Sequence, residues 1–420
     1  MVELAGRKLL ITHTMIHRIM GSTVAALELA THLTERQAHV TVYASFIDDP
    51  LKSLFLDRGI TLESDENALE IDDFEIVWVH SQVLPESWIR QLGEMSPTDR
   101  PRFIFHHMSA IEYAPDEHPY MWGLEERLAS LSLFISPMTR EKLLPYYANV
   151  PPTALYPNPA PVEWRGVRRG SAPAAPRDIV IVSNHAVGEV EKAADVLRER
   201  GCRVRHFGSS GDTYELVSPA HLAGADLVIT IGKTVQYCLV AGVPVYVYDH
   251  FGGYGYLSAE NFDSAQHRNF SGRGGWQLGP EELVEDILAN YSDASRFHAE
   301  RLEEFRRTYS LDHVVDRVML LADGDHRGAP LETSLVCASA SAQHFASRAY
   351  QHWGHLRNAD ADRSRLSTEL EAARRRIEEL EADHAVQRSE LEQLRSSWSF
   401  RVGRRIVAPL AAVARRLLRR

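Results

Sequence analysis

From residue 8 to residue 309, short apolar runs alternate with stretches whose apolar positions fall three and four residues apart. The runs are rich in Val, Ile, Tyr and Phe, have strand length, and are too short for buried helices. The clearest unit is residues 225–256, ADLVITIGKTVQYCLVAGVPVYVYDHFGGYGY. Two such runs, 227–231 and 245–248, flank 233–241, which makes about two and a half turns at ~3.6 residues per turn. Gly232 and Gly242 punctuate that helix, and Pro244 stops it. Strands this uniformly apolar predict parallel pairing with helices on both faces of the sheet.

The same rhythm opens the chain. Residues 8–12 read as a strand and 13–22 as a loop ending in Gly21-Ser22. Residues 23–37 read as a helix carrying Val24, Leu27 and Leu33 on one face, with Ser22 as N-cap, and 40–44 as a second strand. This βαβ opening predicts a doubly wound sheet. It holds no G-x-G-x-x-G, so dinucleotide binding is not supported. Further strands run over 76–79 to His80, 103–105 to His106 and His107, and 133–135 to Ser136. Residues 149–177 are dense in Pro, Gly and Ala and interrupt the rhythm. It restarts with a strand at 178–182, a strand-end loop Ser183-Asn184-His185, a helix at 189–200 and a strand at 204–207. Residues 281–309 are helical and charged, and cover the second sheet or cross back to the first domain.

The pattern changes again near the end. Leu366, Leu370, Ala373, Ile377, Leu380, Leu391 and Leu394 keep a 4-3 spacing, with His384 and Gln387 in the heptad between. That predicts a coiled coil, dimeric given its polar interruption; a long amphipathic helix folded on the body is the alternative. The expected fold class is therefore α/β, two Rossmann-like domains facing a cleft, plus a coiled coil and a tail. The expected segments are an N-terminal Rossmann-like domain at 1–160, a hinge linker at 161–177 and a C-terminal Rossmann-like domain at 178–325. A linker at 326–355, a coiled coil at 356–396 and a tail at 397–420 follow.

Composition narrows the classes. The 420 residues are 44% hydrophobic and 25% charged, ordinary for a soluble protein of two or three domains. A net charge of −11 argues against a general nucleic-acid binder. Cys202, Cys238 and Cys337 form no CxxC pair, so no disulfide framework or zinc site is implied and a reducing compartment fits. No signal-type apolar region opens the chain, and no run of ~18 apolar residues spans a bilayer. Residues 397–420 hold seven arginines and no acid, which leaves −18 for the rest. Trp398, Phe400 and spaced aliphatics among these arginines read as an interfacial membrane helix, each Arg adding ~1 kcal/mol at an anionic leaflet. The expected location is cytoplasmic, peripheral at the inner face of the cell membrane.

Candidate chemistry gathers at strand ends, where open α/β sheets bind ligands. Gly232-Lys233-Thr234 places a close-approach glycine, a cation and a hydroxyl at a helix N-terminus. That is an anion site, most naturally for phosphate, although a plain turn with an exposed lysine has the same look. The upstream glycine of a Walker loop is absent. His80, His106, His107 and Ser136 end neighbouring strands and point to a polar cleft, while a single histidine is more often structural. There is no HExxH and no His/Cys cluster, so no metal is expected. Residues 106–118 form a cleft loop that includes Glu112, or a solvated acidic loop. Gly252 and Gly253, with Tyr254, suggest a loop that closes on a ligand, or a Gly-rich turn. Arg273 sits in a small-residue loop that clamps a phosphate or is simply mobile.

Together these features resemble the GT-B nucleotide-sugar glycosyltransferases over about residues 7–320. LLITHTMIHRIMGSTVAALELATHLTERQAHVTVYAS looks like their first strand, loop and helix. ISPMTREKL and LYPNPAPVEW look like the approach to their hinge, and ADLVITIGKTVQYCLVAGVPVYVYD like their donor-binding βαβ. SNHAVGEVEKAADVL, IGKTVQY, YDHFGGYGYL and NFSGRG are similar to a bacterial subgroup of cell-surface polysaccharide assembly. One departure stands out: retaining members carry glutamates flanking the donor helix, and the position five before Gly242 is Tyr237.

The resemblance implies that the backbone of Gly21 and Ser22 faces the donor and that His107 reaches the transferred sugar. Asn184, His185, Gly232, Lys233 and Thr234 would bind the diphosphate without a metal. An inverting enzyme would also need a base from the first domain, for which His17 and Glu112 are the candidates. The implied function is metal-independent transfer of a sugar from a nucleotide-sugar co-substrate, with no other cofactor, to a lipid-linked or cell-surface glycan. The coiled coil would make a homodimer, the tail would meet an anionic membrane surface, and no nucleic acid would bind. The alternatives are a non-catalytic GT-B-like membrane scaffold and a sugar-nucleotide epimerase on the same fold.

Overall fold

Alternating apolar runs and amphipathic stretches build one parallel sheet and one mostly parallel sheet. The structure is a computed structural model describing residues 2–80, 82–110, 118–167, 173–184, 188–209, 211–324 and 328–417. It divides into two compact units, Met1–His352 and Trp353–Arg420.

The first unit contains two lobes. The first lobe's strands are β1 (Lys8–Ile16), β2 (His39–Ile47), β3 (Thr61–Glu63), β4 (Ile76–His80), β5 (Arg102–His107), β6 (Ala129–Phe134) and β7 (Thr153–Leu155). Its helices are α1 (Gly21–Glu35), α2 (Leu51–Leu56), α3 (Glu86–Glu94), α4 (Trp122–Leu128) and α5 (Pro137–Leu143). The strands lie in the order β3-β2-β1-β4-β5-β6-β7, all parallel. The order reverses between β1 and β4, which is where such a sheet opens a crevice beyond its carboxyl ends.

The second lobe repeats the scheme with β8 (Asp178–Val182), β9 (Arg203–Phe207), β10 (Leu227–Thr230), β11 (Val245–Asp249) and β12 (Gly252–Tyr256). Its helices are α6 (Gly188–Glu199), α7 (Pro219–Leu222), α8 (Lys233–Ala241), α9 (Phe262–His267), α10 (Pro280–Ala289), α11 (Tyr291–Glu300) and α12 (Leu302–Tyr309). The sheet runs β12-β11-β10-β8-β9, with β12 antiparallel on one edge. Its reversal point lies between β8 and β10. α8 occupies residues 233–241 because Gly232, at φ 61°, begins it and Gly242, at φ 73°, ends it in the left-handed region.

The chain then returns. Helix α13 (Leu311–Ala322) follows the second lobe in sequence, yet Leu311, Val314, Val315, Val318 and Met319 complete the first lobe's core with Leu9, Ile11, Trp78 and Ile104. The outgoing and returning segments pair: Ala160 N donates to Tyr309 O at 2.7 Å and Leu311 N to Ala160 O at 2.8 Å. The return thus comes after the 281–309 stretch, and the first lobe extends beyond the expected limit of residue 160. The expected linker at 326–355 is also corrected. Helix α14 (Thr333–Ser396) starts inside it and packs on the first lobe through buried Val336, Ala340, Gln343 and Tyr350. Gln343 Oε1 accepts from Leu84 N at 3.3 Å and Tyr120 Oη at 3.1 Å.

In the second unit, α14 continues as a helix with Leu366, Leu370, Ile377, Leu380, Leu391 and Leu394 exposed, and α15 (Trp398–Leu417) follows. Among the described residues no helix is long and apolar enough to cross a membrane.

Two local expectations change. Helix α1 begins at Gly21 with Met20 as N-cap, so Ser22 lies inside the first turn. The Thr23 hydroxyl is the cause: it accepts from Met20 N at 3.1 Å and donates to Arg18 O at 2.6 Å, closing the turn early. Residues 252–256 are a strand rather than a ligand loop. Glycine is needed there because a Cβ on Gly253 would meet Val247 O at 1.9 Å.

The middle of the first sheet buries three histidines, His13 within β1, His80 at the end of β4 and His106 near the end of β5. The ring centroids of His13 and His80 are 5.9 Å apart, and those of His80 and His106 4.8 Å. Burial and the neighbouring imidazoles hold His13 down at about 4 and His106 at about 3, and push His80 well below its usual value. The unfolded chain takes up these protons below ~6.5, while in the folded chain His13 and His106 do so only near 4 and 3. Stability is therefore full above pH 6.5 and falls as pH drops through that window, each histidine costing up to ~1.4 kcal/mol per pH unit. Urea unfolding at pH 7.5, 5.5 and 4.5 should show this slope, and His106→Phe should flatten it.

Candidate functional site

The two reversal points face each other. Between them lies a cavity of about 340 Å³, lined by Ile19, Met20, Gly21 and Val24 from the first lobe. From the second lobe come Ser183, Asn184, Tyr214, Gly232, Lys233, Thr234, Tyr237 and Asp249. Each lobe thus presents the start of a helix, α1 at Gly21 and α8 at Lys233. A helix's first turn leaves backbone N–H groups without intrahelical acceptors and carries roughly half a positive charge. Two such ends on one cavity make it a strong place for an anion. At Gly21 a Cβ would meet nothing within 4 Å, so the α1 end is open. Gly232 N is used by Phe270 O at 2.9 Å, which fixes the loop beneath the α8 end.

Polar groups close the rim. Asn184 Nδ2 donates to Ile19 O at 3.3 Å, and Ile19 N donates to Tyr214 Oη at 3.2 Å, both across the lobes. Asp249 is 3% exposed and accepts from Ser183 Oγ and from His250 N, each at 2.8 Å. The cavity therefore has a cationic side made of helix ends, and the carboxylates of Asp249 and Glu215 also line it.

Lys233 is not the exposed lysine that a plain turn would carry. Lys233 is 8% exposed, and its Nζ lies 2.6 Å from Glu28 Oε2 on α1 while donating to Pro159 O at 3.2 Å. Tyr237 Oη donates to the other oxygen of Glu28. The Tyr237 ring stacks on Trp164 with centroids 4.1 Å apart at 6°. Burial raises the Glu28 carboxyl above its ordinary value, with Lys233 and Tyr237 pulling the other way. Burial and then Glu28 raise the Tyr237 hydroxyl. The backbone at 232–234 lines the cavity, but the lysine charge is committed to Glu28.

Other expected residues lie elsewhere. His107 is buried, with Nε2 2.9 Å from Glu125 Oε1, and does not line the cavity. Fully buried Glu125 needs donors, and it also takes Tyr147 Oη at 2.8 Å, Ser132 Oγ at 2.5 Å and Gln82 Nε2 at 2.5 Å. Burial alone would raise its carboxyl; His107 and the hydroxyls hold it below its ordinary value. His17 is buried with its ring 5.7 Å from Phe46, also off the cavity. Ser22 is half-buried and does not reach the lining. Gly252 and Gly253 are strand residues, and the Arg273 guanidinium lies 3.9 Å over the Phe251 ring. Ser136 caps α5, accepting from Thr139 N at 3.2 Å. His185 and Glu112 lie outside the described residues. Among the described residues no group of three or more His, Cys, Asp or Glu is arranged to hold a metal ion.

Glu28, Tyr214 and Asp249 were not anticipated. The signal for Glu28 was present: an acid between Leu27 and Leu29, one turn after Val24, on the stripe that faces inward. Asp249 ends a strand, the position the reversal rule favours.

One solved structure shares the fold. The chain is similar to a glycosyltransferase from Rickettsia africae ESF-5 over 76% of this chain and 98% of that one, with a TM-score of 0.51 and 11% identity. Weaker likenesses include a sucrose-phosphate synthase from Thermosynechococcus elongatus, with 12% identity over 75% of this chain and 98% of that one and a TM-score of 0.45. MurG of Acinetobacter baumannii gives 12% identity over 76% and 100%, with a TM-score of 0.42. At 11% identity the first likeness is one of fold, and the chain has the two-lobed GT-B architecture. No family model matches the chain, and no curated protein matches it.

The buried pair sets an expected outcome. Lys233→Ala leaves Glu28 uncompensated in the interior, and breaking a buried pair this way costs roughly 3–5 kcal/mol. Urea unfolding should show that loss, whereas an exposed lysine would give under ~1 kcal/mol.

Proposed function

We propose that the chain is a glycosyltransferase. It takes a sugar from a nucleotide-sugar donor held in the cleft and passes it to a lipid-linked or cell-surface glycan acceptor. The observation that carries this reading is the pair of helix N-termini opening on one cavity of about 340 Å³ in a GT-B architecture. A diphosphate between Gly21 and Thr234 meets backbone N–H groups from both lobes. Those fixed dipoles stabilise the charge that develops as the nucleoside diphosphate departs, and need no metal to do so. A carboxylate is repelled by a diphosphate, so the Asp249 wall suits the neutral, hydroxyl-bearing part of the donor.

The acceptor enters from the first lobe. The exposed leucine stripe of α14 supports pairing of two chains as a coiled coil. The arginine-rich tail, with Trp398 78% exposed, supports attachment at an anionic membrane face. A second reading, a non-catalytic scaffold on this fold, draws on His17 and His107 both being buried away from the cavity.

Saturation-transfer NMR with a panel of nucleotide sugars tests the donor site: at least one should receive saturation, and silence from all of them with folded protein refutes it. Product formation with an acceptor lipid excludes the scaffold. Gly21→Asp separates binding from folding. Its side chain enters open space and an acid suits a helix N-terminus, so the melting temperature should hold or rise. Donor affinity should fall by ~10-fold or more, about 1.4 kcal/mol.

A further inference from the structure

Helix α1 does two things in the cleft. Its N-terminus forms one wall, and two turns further along Glu28 reaches across to the second lobe. That carboxylate grips α8 at successive turns. One oxygen lies 2.6 Å from Lys233 Nζ and the other accepts from Tyr237 Oη. Lys233 also donates to Pro159 O on the outgoing segment, and Trp164 seals the other face of Tyr237. The side chains of Glu28 and Lys233 are only 14% and 7% exposed. By contrast, the interlobe contact of Glu141 with His267, at 3.1 Å, is solvent-exposed, and the rim bonds at Ile19 are single neutral hydrogen bonds.

We propose that Glu28 is a positioning residue for the donor site: acting through Lys233 and Tyr237, it clamps α8 to α1 so that both helix ends face the same diphosphate. The inference rests on the reading of the cleft as a donor site. A helix end acts strongly only within its first turn, so an anion gains from both ends only at the separation the clamp sets. The clamp also accounts for Tyr237. A glutamate there, as in the transferases this chain resembles, would put two carboxylates in one buried spot, which strongly disfavours charging both. Tyrosine lets the acid come from the opposite lobe.

The test uses the full chain with inorganic pyrophosphate as probe, by calorimetry, and small-angle scattering for lobe separation. Glu28→Gln should stay folded, expand without ligand and bind pyrophosphate at least tenfold more weakly. Tyr237→Phe keeps the ion pair and the stacking, so it should weaken binding about threefold. If Lys233 were itself the phosphate ligand and Glu28 only masked it, Glu28→Gln would bind more tightly. Tighter or unchanged binding with unchanged scattering overturns the proposal. Should Glu28→Gln fail to fold, Tyr237→Phe decides, and no change in its affinity and scattering overturns it equally. A wild-type chain that binds no pyrophosphate, beside a Glu28→Gln variant that still expands, overturns the donor reading and leaves the interlobe clamp standing.

Discussion

A carboxylate and an ammonium buried together in a protein interior must stay together, and the cleft is arranged around that constraint. Glu28 and Lys233 belong to different lobes, and each is costly to bury without the other. Their contact fixes the distance between α1 and α8, and with it the width of the cavity between the reversal points of the two sheets. It also divides labour within the Gly232-Lys233-Thr234 turn. The side chain ties lobe to lobe, and the backbone lines the cavity. A motif that looks like a phosphate-binding lysine thus spends its side chain on the contact between the lobes.

The parallel strands and the helices between them were legible because their signals are local. Residues 178–182 and 233–241 fall where apolar runs and glycine punctuation place them. Strand β12 was hidden because GGYGY has the composition of a turn, and only its partner shows why the glycines are there: Val247 O occupies the space a Cβ would need. The return of α13 to the first core was hidden too. Its apolar face reads the same whichever lobe it covers.

The site divides along the same line. Gly232–Thr234 were found by a rule about strand ends and helix starts, and Gly21 and Asn184 through the resemblance to GT-B transferases; all of them line the cavity. Glu28 and Tyr237 stand 209 residues apart, and nothing in either stretch names the other. His107 has the residue type for sugar chemistry, but Glu125, eighteen residues on, claims it for the interior. Burial of that kind follows from packing across strands, and no periodicity carries it.

The pairing of Ala160 with Tyr309 and Leu311 makes the second lobe an insertion whose two ends meet in a hydrogen-bonded strap. On the ribosome this reverses the usual order. The second lobe is fully synthesised at Tyr309, while the first still lacks α13 and the opening turns of α14 that fill its core and flank. The amino-terminal half cannot complete its core until the segment beyond the insert has been made.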